Sequence, residues 1–228
     1  MDCGDGGTMP NISAVVLTYN GWELTHQLLS DIRRYFPADE VLVVDNGSED
    51  DTVYKGLKFW KKSGLLPIKV LSLEENLGFC GGANAGLKEA TGDMVALLSN
   101  DVRVYNRSAF DFIAECATRD EPVLIGDTLY DYDTGWNKFG DRLFPYLGGY
   151  FLASNGWDKL GYFDTDYYPY DYEDVDLSSK AMNYQPNIPL LTVPPRCIGH
   201  TGGGTIGFNP KRLEQTMKNQ QVFKDKWL

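Results

Sequence analysis

The chain predicts an α/β fold, a mostly parallel central sheet flanked by helices with an α+β second half, on three observations. Short apolar runs at residues 13–17, 41–44, 68–71 and 94–98 alternate with segments of helical period, and such alternation builds parallel sheets covered on both faces. Three acidic sites sit in comparable settings: Asp101 after Met94-Val95-Ala96-Leu97-Leu98, Asp45 after Val41-Leu42-Val43-Val44, and Glu173-Asp174 in Tyr-Glu-Asp-Val-Asp. Open α/β sheets bind ligands outside the carboxyl ends of their strands, so these positions suggest a site. Beyond residue 120 the alternation loosens.

Each element has a local reason. Residues 13–17 read as a buried strand, and Leu24, Leu28, Ile32 and Tyr35 then recur at helical spacing until Pro37 ends the run. The second strand, 41–44, is followed by the turn Asp45-Asn46-Gly47-Ser48. Asp50 or Asp51 can cap a helix that runs to about Lys62 and stops at Gly64. Strand 68–71, a Gly-rich turn, a short helix to Ala90 and strand 94–98 complete the alternation. In the second half, 123–125, 150–152 and 190–193 read as strands and 174–182 as a helix.

With 228 residues, 43% of them hydrophobic, and no linker-like Pro/Ser tract, the chain can bury one substantial core. We expect a loose tail over 1–10 and a single domain over 11–228. A net charge of −11 without a basic, aromatic-interleaved stripe excludes nucleic acid as a partner. Cys3, Cys80, Cys116 and Cys197 form no Cys-x-x-Cys pair, which argues against a zinc knuckle or disulfide framework and fits a reducing cytoplasm. There is no 18-residue apolar stretch and no signal-peptide pattern at the start.

Five motifs carry a resemblance. Ala14-Val15-Val16-Leu17-Thr18-Tyr19-Asn20, Val43-Val44-Asp45-Asn46-Gly47-Ser48, Asn76-Leu77-Gly78-Phe79 with Asn84, Ser99-Asn100-Asp101 and Tyr172-Glu173-Asp174-Val175-Asp176 occur in the order found in family 2 glycosyltransferases of the GT-A fold. The chain resembles the rhamnosyltransferase-like branch, in which Asn-x-Gly-Phe-x-Gly-Gly-x-Asn and Glu-Asp-x-Asp recur. Two departures stand out: Ser99 occupies the first position of the usual Asp-x-Asp metal motif, and the Gln-x-x-Arg-Trp motif of processive synthases is absent. The resemblance implies a nucleotide-binding half over about 11–102 and an acceptor-binding half over about 103–228. It also implies an inverting, metal-dependent, non-processive transfer of one sugar from a UDP- or dTDP-sugar to a glycan or lipid-linked acceptor.

The residue types suit that chemistry. Breaking a nucleotide sugar's anomeric bond concentrates charge on the diphosphate, which Mn²⁺ or Mg²⁺ held by oxygen ligands can offset. Asp101 can anchor that ion or merely cap the turn after its strand, with Ser99 and Asn100 as ribose or supporting groups. Asp45 and Asn46 could accept the imide N–H of uracil or thymine, or Asp45 could only organise its turn. Thr18, Tyr19 and Asn20 would contact the same base, ordinary strand-end packing being the alternative. Between Asn76 and Asn84, Gly78 and Gly82 permit close backbone approach, so this stretch reads as a nucleotide wall or as a helix start. By resemblance Asp174 is the base that takes the acceptor proton and Glu173 orients the acceptor, while both also suit a helix N-terminus.

Further residues are less committed. The aromatic run from Phe163 to Tyr172 suits either a sugar or a packed loop. His26 reads as surface or core filler. His200 opens the stretch to Thr205; it could complete the metal shell, pair with phosphate when protonated, or be a loop histidine. Segment 211–228 is basic and could lie peripherally on an anionic membrane, or dock on its own domain with Met217, Val222, Phe223 and Trp227 inward. A longer multidomain parent chain is compatible with this ending. The competing functions are a sugar-nucleotide pyrophosphorylase, whose Gly-rich arginine loop is lacking near Thr18, and a noncatalytic carbohydrate-binding module.

Overall fold

In this computed structural model, residues 9–201 and 210–228 are described. Most of the expected tail and Gly202-Gly203-Gly204-Thr205 lie outside the described residues. In chain order the elements are β1 (Ile12–Thr18), α1 (Trp22–Tyr35), β2 (Glu40–Asp45), α2 (Asp51–Ser63), β3 (Ile68–Ser72), α3 (Gly78–Glu89), β4 (Met94–Ser99) and β5 (Val102–Val104). The second half adds α4 (Ser108–Ala117), β6 (Leu124–Gly126), β7 (Leu129–Tyr130), β8 (Lys138–Phe139), β9 (Arg142–Leu143), β10 (Tyr146–Leu147), β11 (Phe151–Ser154) and α5 (Trp157–Leu160). A 3₁₀ turn (Thr165–Tyr167), α6 (Glu173–Asn183), β12 (Leu190–Thr192), β13 (Ile198–His200) and α7 (Pro210–Trp227) complete it.

A seven-stranded sheet in the order β12-β6-β11-β4-β1-β2-β3 runs through the centre. Its strands are parallel except β11, which opposes both β4 and β6. Period-2 alternation sorts β1 between two cores. Ala14 and Val16 pack with Leu28 and Ile32 of α1 and Leu57 and Trp60 of α2. Val15 and Leu17 pack with Cys80, Ala83 and Leu87 of α3 and with residues of α5, α6 and α7. Each fully buried Val or Leu side chain contributes roughly 1.5–3 kcal/mol, which explains why these strands carry few polar residues.

The helix boundaries follow from their caps. Asp50 accepts from Thr52 N at 2.8 Å ahead of α2, and Gly64 closes that helix in the left-handed region at φ 66°. The Gly-rich stretch is not the expected turn but the first turns of α3, which lies close over β1 and β2. A Cβ on Gly82 would come within 2.7 Å of Leu17 Cδ1 and 2.8 Å of Asn46 Nδ2, and one on Gly86 within 2.5 Å of Val15 Cγ1. Helix α4, β5 and the short hairpins β7 to β10 were not anticipated from the sequence.

Two polar ties fix the parts beside the strand ends. Arg103 on β5 donates from Nε and Nη2 to Asp31 on α1 at 2.6 and 3.1 Å, and Val104 N donates to the same carboxylate at 3.2 Å. Helix α7 docks on the domain with Phe223 buried and Trp227 Nε1 donating to Asp176 at 2.8 Å, while Lys226 bridges Asp164 and Asp176. Met217, expected inward, is 61% exposed because that turn of α7 faces solvent. No helix among the described residues is long and apolar enough to cross a membrane.

Gly86→Ala tests the close helix-sheet approach. Alanine favours a helix interior by up to about 1 kcal/mol, but a methyl forced against Val15 and Val44 costs about 1–3 kcal/mol, so urea denaturation is expected to show a net loss of stability.

Candidate active site

Parallel pairing brings the strand ends level: Thr18 stands opposite Asp45 across β1 and β2, and Leu17 opposite Ser99 across β1 and β4. A cavity of about 500 Å³ opens beyond these ends, and the start of α6 forms its far wall. Tyr19, Asn46, Asn76 and Gly78 line it on one side, and Ser99, Asn100, Asp101 and His200 on another. Glu173 and Asp174 complete the set brought together from the sequence-derived candidates.

The floor is organised by one side-chain amide. Asn46 accepts from Leu77 N at 3.0 Å and donates to Asn76 Oδ1 at 3.1 Å and to the Gly78 carbonyl at 3.0 Å. Buried polar backbone beyond a strand end needs such partners, and an amide supplies donor and acceptor together.

Thr18, Asn20, Asp45, Gly82 and Asn84 do not line the cavity. Thr18 Oγ1 shares a 2.7 Å hydrogen bond with Thr25 Oγ1. Asn20 holds the neighbouring turn by accepting from Glu49 N and Asp50 N at 3.0 and 3.2 Å. Asp45 Oδ1 accepts from Ser48 N at 3.0 Å, the turn-organising arrangement. Gly82 is a contact point between α3 and Leu17 rather than a wall of the cavity, because the stretch is helical. Asn84 spends both ends of its amide on Phe163, donating to its carbonyl at 2.8 Å and accepting from its N–H at 3.0 Å.

On the β4 side, Asp101 and His200 form a pair. β13 runs antiparallel to β5 with His200 opposite Val102, which sets His200 Nε2 3.2 Å from Asp101 Oδ2. His200 is therefore the last residue of a strand, and 202–205 of the stretch it opens lie outside the described residues. Its ring stacks on Tyr150 with centroids 4.1 Å apart, and Tyr150 also accepts from Ser99 N through its carbonyl at 2.9 Å. Tyr150 was read only as a strand residue; the sequence held no signal for a partner fifty positions away.

Glu173 and Asp174 begin α6. Asp174 accepts from Gly149 N at 3.3 Å and Val175 N at 2.8 Å, yet burial outweighs these bonds and pushes its carboxyl up to about 6. Burial and the adjacent Asp174 charge hold Glu173 well above the usual carboxylate range. Glu173 Oε2 is buried without a hydrogen-bond partner among the described residues. Burial thus favours the protonated form at Glu173, while Asp174 ionises at about 6.

A second cavity, of about 650 Å³, lies across this pair and shares Asp171, Glu173, Asp174 and Arg212 with the first. Arg212 donates from Nη2 to Asp171 Oδ1 at 2.8 Å. In the aromatic run, Phe163, Tyr167 and Tyr172 are buried, which makes them packing residues, whereas Tyr170 lines the first cavity. Trp136 and Tyr146 line the second. His26 accepts from Trp60 Nε1 at 3.0 Å, away from both cavities.

The sequence pattern of Glycosyl transferase family 2 matches residues 13–173. Uncharacterized glycosyltransferase YwdF of Bacillus subtilis (strain 168) is 27% identical over 176 residues, covering 70% of this chain and 64% of that protein. The chain thus spans just under two thirds of that relative. Among solved structures, mannosyltransferase PcManGT from Pyrobaculum calidifontis in complex with GDP-Man and Mn²⁺ superposes with a TM-score of 0.62 at 21% identity, over 83% of this chain and 56% of that one. S. aureus TarS 1-349 in complex with UDP gives 0.63 at 20% identity, over 93% and 64%. The matched pattern runs from β1 to the first residue of α6, and the architecture agrees with it: the chain belongs to glycosyltransferase family 2 and has the GT-A fold.

Proposed function

We propose that the chain moves one sugar from a UDP- or dTDP-sugar to a hydroxyl of a glycan or glycolipid acceptor, with inversion and with the help of Mn²⁺ or Mg²⁺. The observation that carries this reading is a single cavity that joins the Asp101–His200 pair to an acid pair tuned for proton transfer. Asn46, Asn76 and Gly78 would wall the nucleotide, with Tyr19 against the base. Asp45, half-buried beside the cavity with Oδ1 on Ser48 N, keeps Oδ2 for the imide N–H of uracil or thymine. The resemblance to rhamnosyltransferases makes dTDP-rhamnose the first donor to try.

The donor set fits a divalent cation. Asp101 Oδ2 and His200 Nε2 are 3.2 Å apart, close enough to bind one ion together. Among the described residues no group of three His, Cys, Asp or Glu side chains is placed to hold a metal; diphosphate oxygens would complete the shell beside Asp101 and His200. When bound, the cation offsets charge on the leaving diphosphate. Asp174 accepts the acceptor hydroxyl's proton as that oxygen bonds to the anomeric carbon, while the anomeric bond to the diphosphate breaks and its electron pair leaves with the phosphate. One displacement from the face opposite the leaving group inverts the anomeric carbon. Glu173, whose protonated form burial favours, can in that form donate a hydrogen bond to the acceptor.

Three outcomes test this. Asp174→Asn should lower turnover by roughly 10²–10⁴-fold while calorimetry shows unchanged UDP or dTDP affinity; unchanged turnover would remove Asp174 as the base, and no turnover in the wild type with any donor would favour a binding module. Wild-type kcat should rise with pH through about 6, because the base works only when ionised, and that limb should vanish in the Asn variant. Titration with UDP, dTDP, GDP and ADP, each with and without Mn²⁺, should show metal-dependent binding of UDP or dTDP that Asp101→Ala abolishes.

A fourth concerns stability. Because folding raises the Glu173 pKa, the native state binds more protons than the unfolded state, and this group's contribution worsens as pH rises from its unfolded value of about 4.3. Glu173→Gln should therefore raise Tm relative to wild type at pH 7 and not at pH 4, measured by calorimetric scans.

A further inference from the structure

The second cavity shares Asp171, Glu173, Asp174 and Arg212 with the first but not the Asp101–His200 pair. Arg212 is bonded to Asp171 at 2.8 Å, and the described residues lining this cavity do not repeat the donor set that could share a cation with phosphate. An acceptor bearing phosphate would meet the Asp174 carboxylate here without that cation. It would also have no use for Asp174, since a phosphate oxygen is ionised at neutral pH and needs no base, whereas a sugar hydroxyl does.

The same cavity is also lined by Trp136, Tyr146 and Tyr172, and the backbone of Trp136 is held in place. Trp136 is 44% exposed, so the core does not need its ring, yet its backbone is fixed. Tyr172 donates from its hydroxyl to the Trp136 carbonyl at 2.8 Å, and Gln220 Nε2 donates to that hydroxyl at 2.7 Å. Asn137, fully buried, accepts from Thr134 N at 3.0 Å and donates to the carbonyls of Tyr132 and Phe144 at 3.1 Å each. A rigid loop thus presents an indole beside two carboxyl groups. Flat apolar faces flanked by hydrogen-bonding acids match the two surfaces of a pyranose, its C–H face and its hydroxyl rim.

We propose that the second cavity is the acceptor cavity and that it takes a neutral pyranose stacked on Trp136, not a phosphate. This rests on the transferase reading above and narrows it: the acceptor is a saccharide hydroxyl, reached from the side of Asp174 away from the donor. Trp136 sets acceptor affinity and leaves the donor side untouched.

The test is saturation-transfer NMR on the full chain with UDP and Mn²⁺, using methyl glycosides of glucose, galactose, mannose, N-acetylglucosamine and rhamnose, and farnesyl phosphate as the anionic alternative. At least one glycoside should bind the wild type, lose about tenfold in affinity in Trp136→Ala and recover in Trp136→Phe, with UDP titration unchanged throughout. The proposal is overturned if no glycoside binds, if binding is indifferent to Trp136→Ala, or if farnesyl phosphate alone binds. Loss of UDP binding in the wild type would instead defeat the transferase reading itself, so the two failures are distinguishable.

Discussion

The register of β1 between β2 and β4 is the constraint on which the rest depends. It pairs over six residues with each neighbour, and because all three run parallel, their carboxyl ends finish within one residue of each other. Slipping β1 by one residue would exchange Val15 and Leu17 for Ala14 and Val16 between the two cores, so the register is set by burial rather than by the site. The ends that emerge level then share a single polar problem: backbone groups that no strand can pair. Asn46, Asp45 and Asn20 answer it, with Thr18 Oγ1 donating to the Asn20 carbonyl at 3.3 Å, and the cavity lies beyond these hydrogen bonds.

The acid pair at the start of α6 works against stability. Burying two adjacent carboxyl groups is unfavourable even beside helical N–H groups, and one oxygen of Glu173 has no partner among the described residues. The surroundings support this arrangement from several directions. Tyr172 is buried and tied to Trp136 and Gln220, Asp176 anchors α7 through Trp227 and Lys226, and Ser178 Oγ accepts from Leu147 N at 3.1 Å. The segment that looked like a sugar platform, Phe163 to Tyr172, is largely this support. Its aromatic composition reflects the packing needed under a strained polar site.

The first half was legible because its elements obey local rules. Apolar runs, the Asp50 cap and the Gly64 terminator are each decided within a few residues, and the structure extends those strands and helices by one or two positions. The misreadings have a common cause. Gly78 to Asn84 reads in sequence as a nucleotide wall or a helix start, because glycine disfavours helix; it is a helix because that helix must lie close to β1 and β2, and only a small residue at Gly82 and Gly86 allows it. The partners Tyr150 for His200, Asp171 for Arg212 and Phe163 for Asn84 are 41 to 79 residues apart or brought together by sheet order, which no local period encodes. Met217 was placed inward by helical spacing alone, without knowledge of which face of α7 meets the domain.

Charge links the two ends of the proposed reaction. A nucleoside diphosphate is itself anionic, and it would enter a cavity lined by Asp101, Asp171, Glu173 and Asp174 on a chain of net charge −11. Two unit charges 4 Å apart at a partly buried site interact by on the order of 4 kcal/mol, so several unscreened repulsions would prevent binding. Two features reduce them. Burial favours the protonated form of Glu173, and Arg212 is bonded to Asp171 rather than left to the donor alone. What remains falls on Asp101, where a cation shared with the diphosphate would turn a repulsive carboxylate into a ligand. On this account Ser99, in place of a second acidic residue, leaves one fewer charge to offset, and His200 would stand beside Asp101 as the second ligand. The same economy of charge bears on the acceptor side: with the donor diphosphate already straining the field, a neutral saccharide is the acceptor that adds nothing to it.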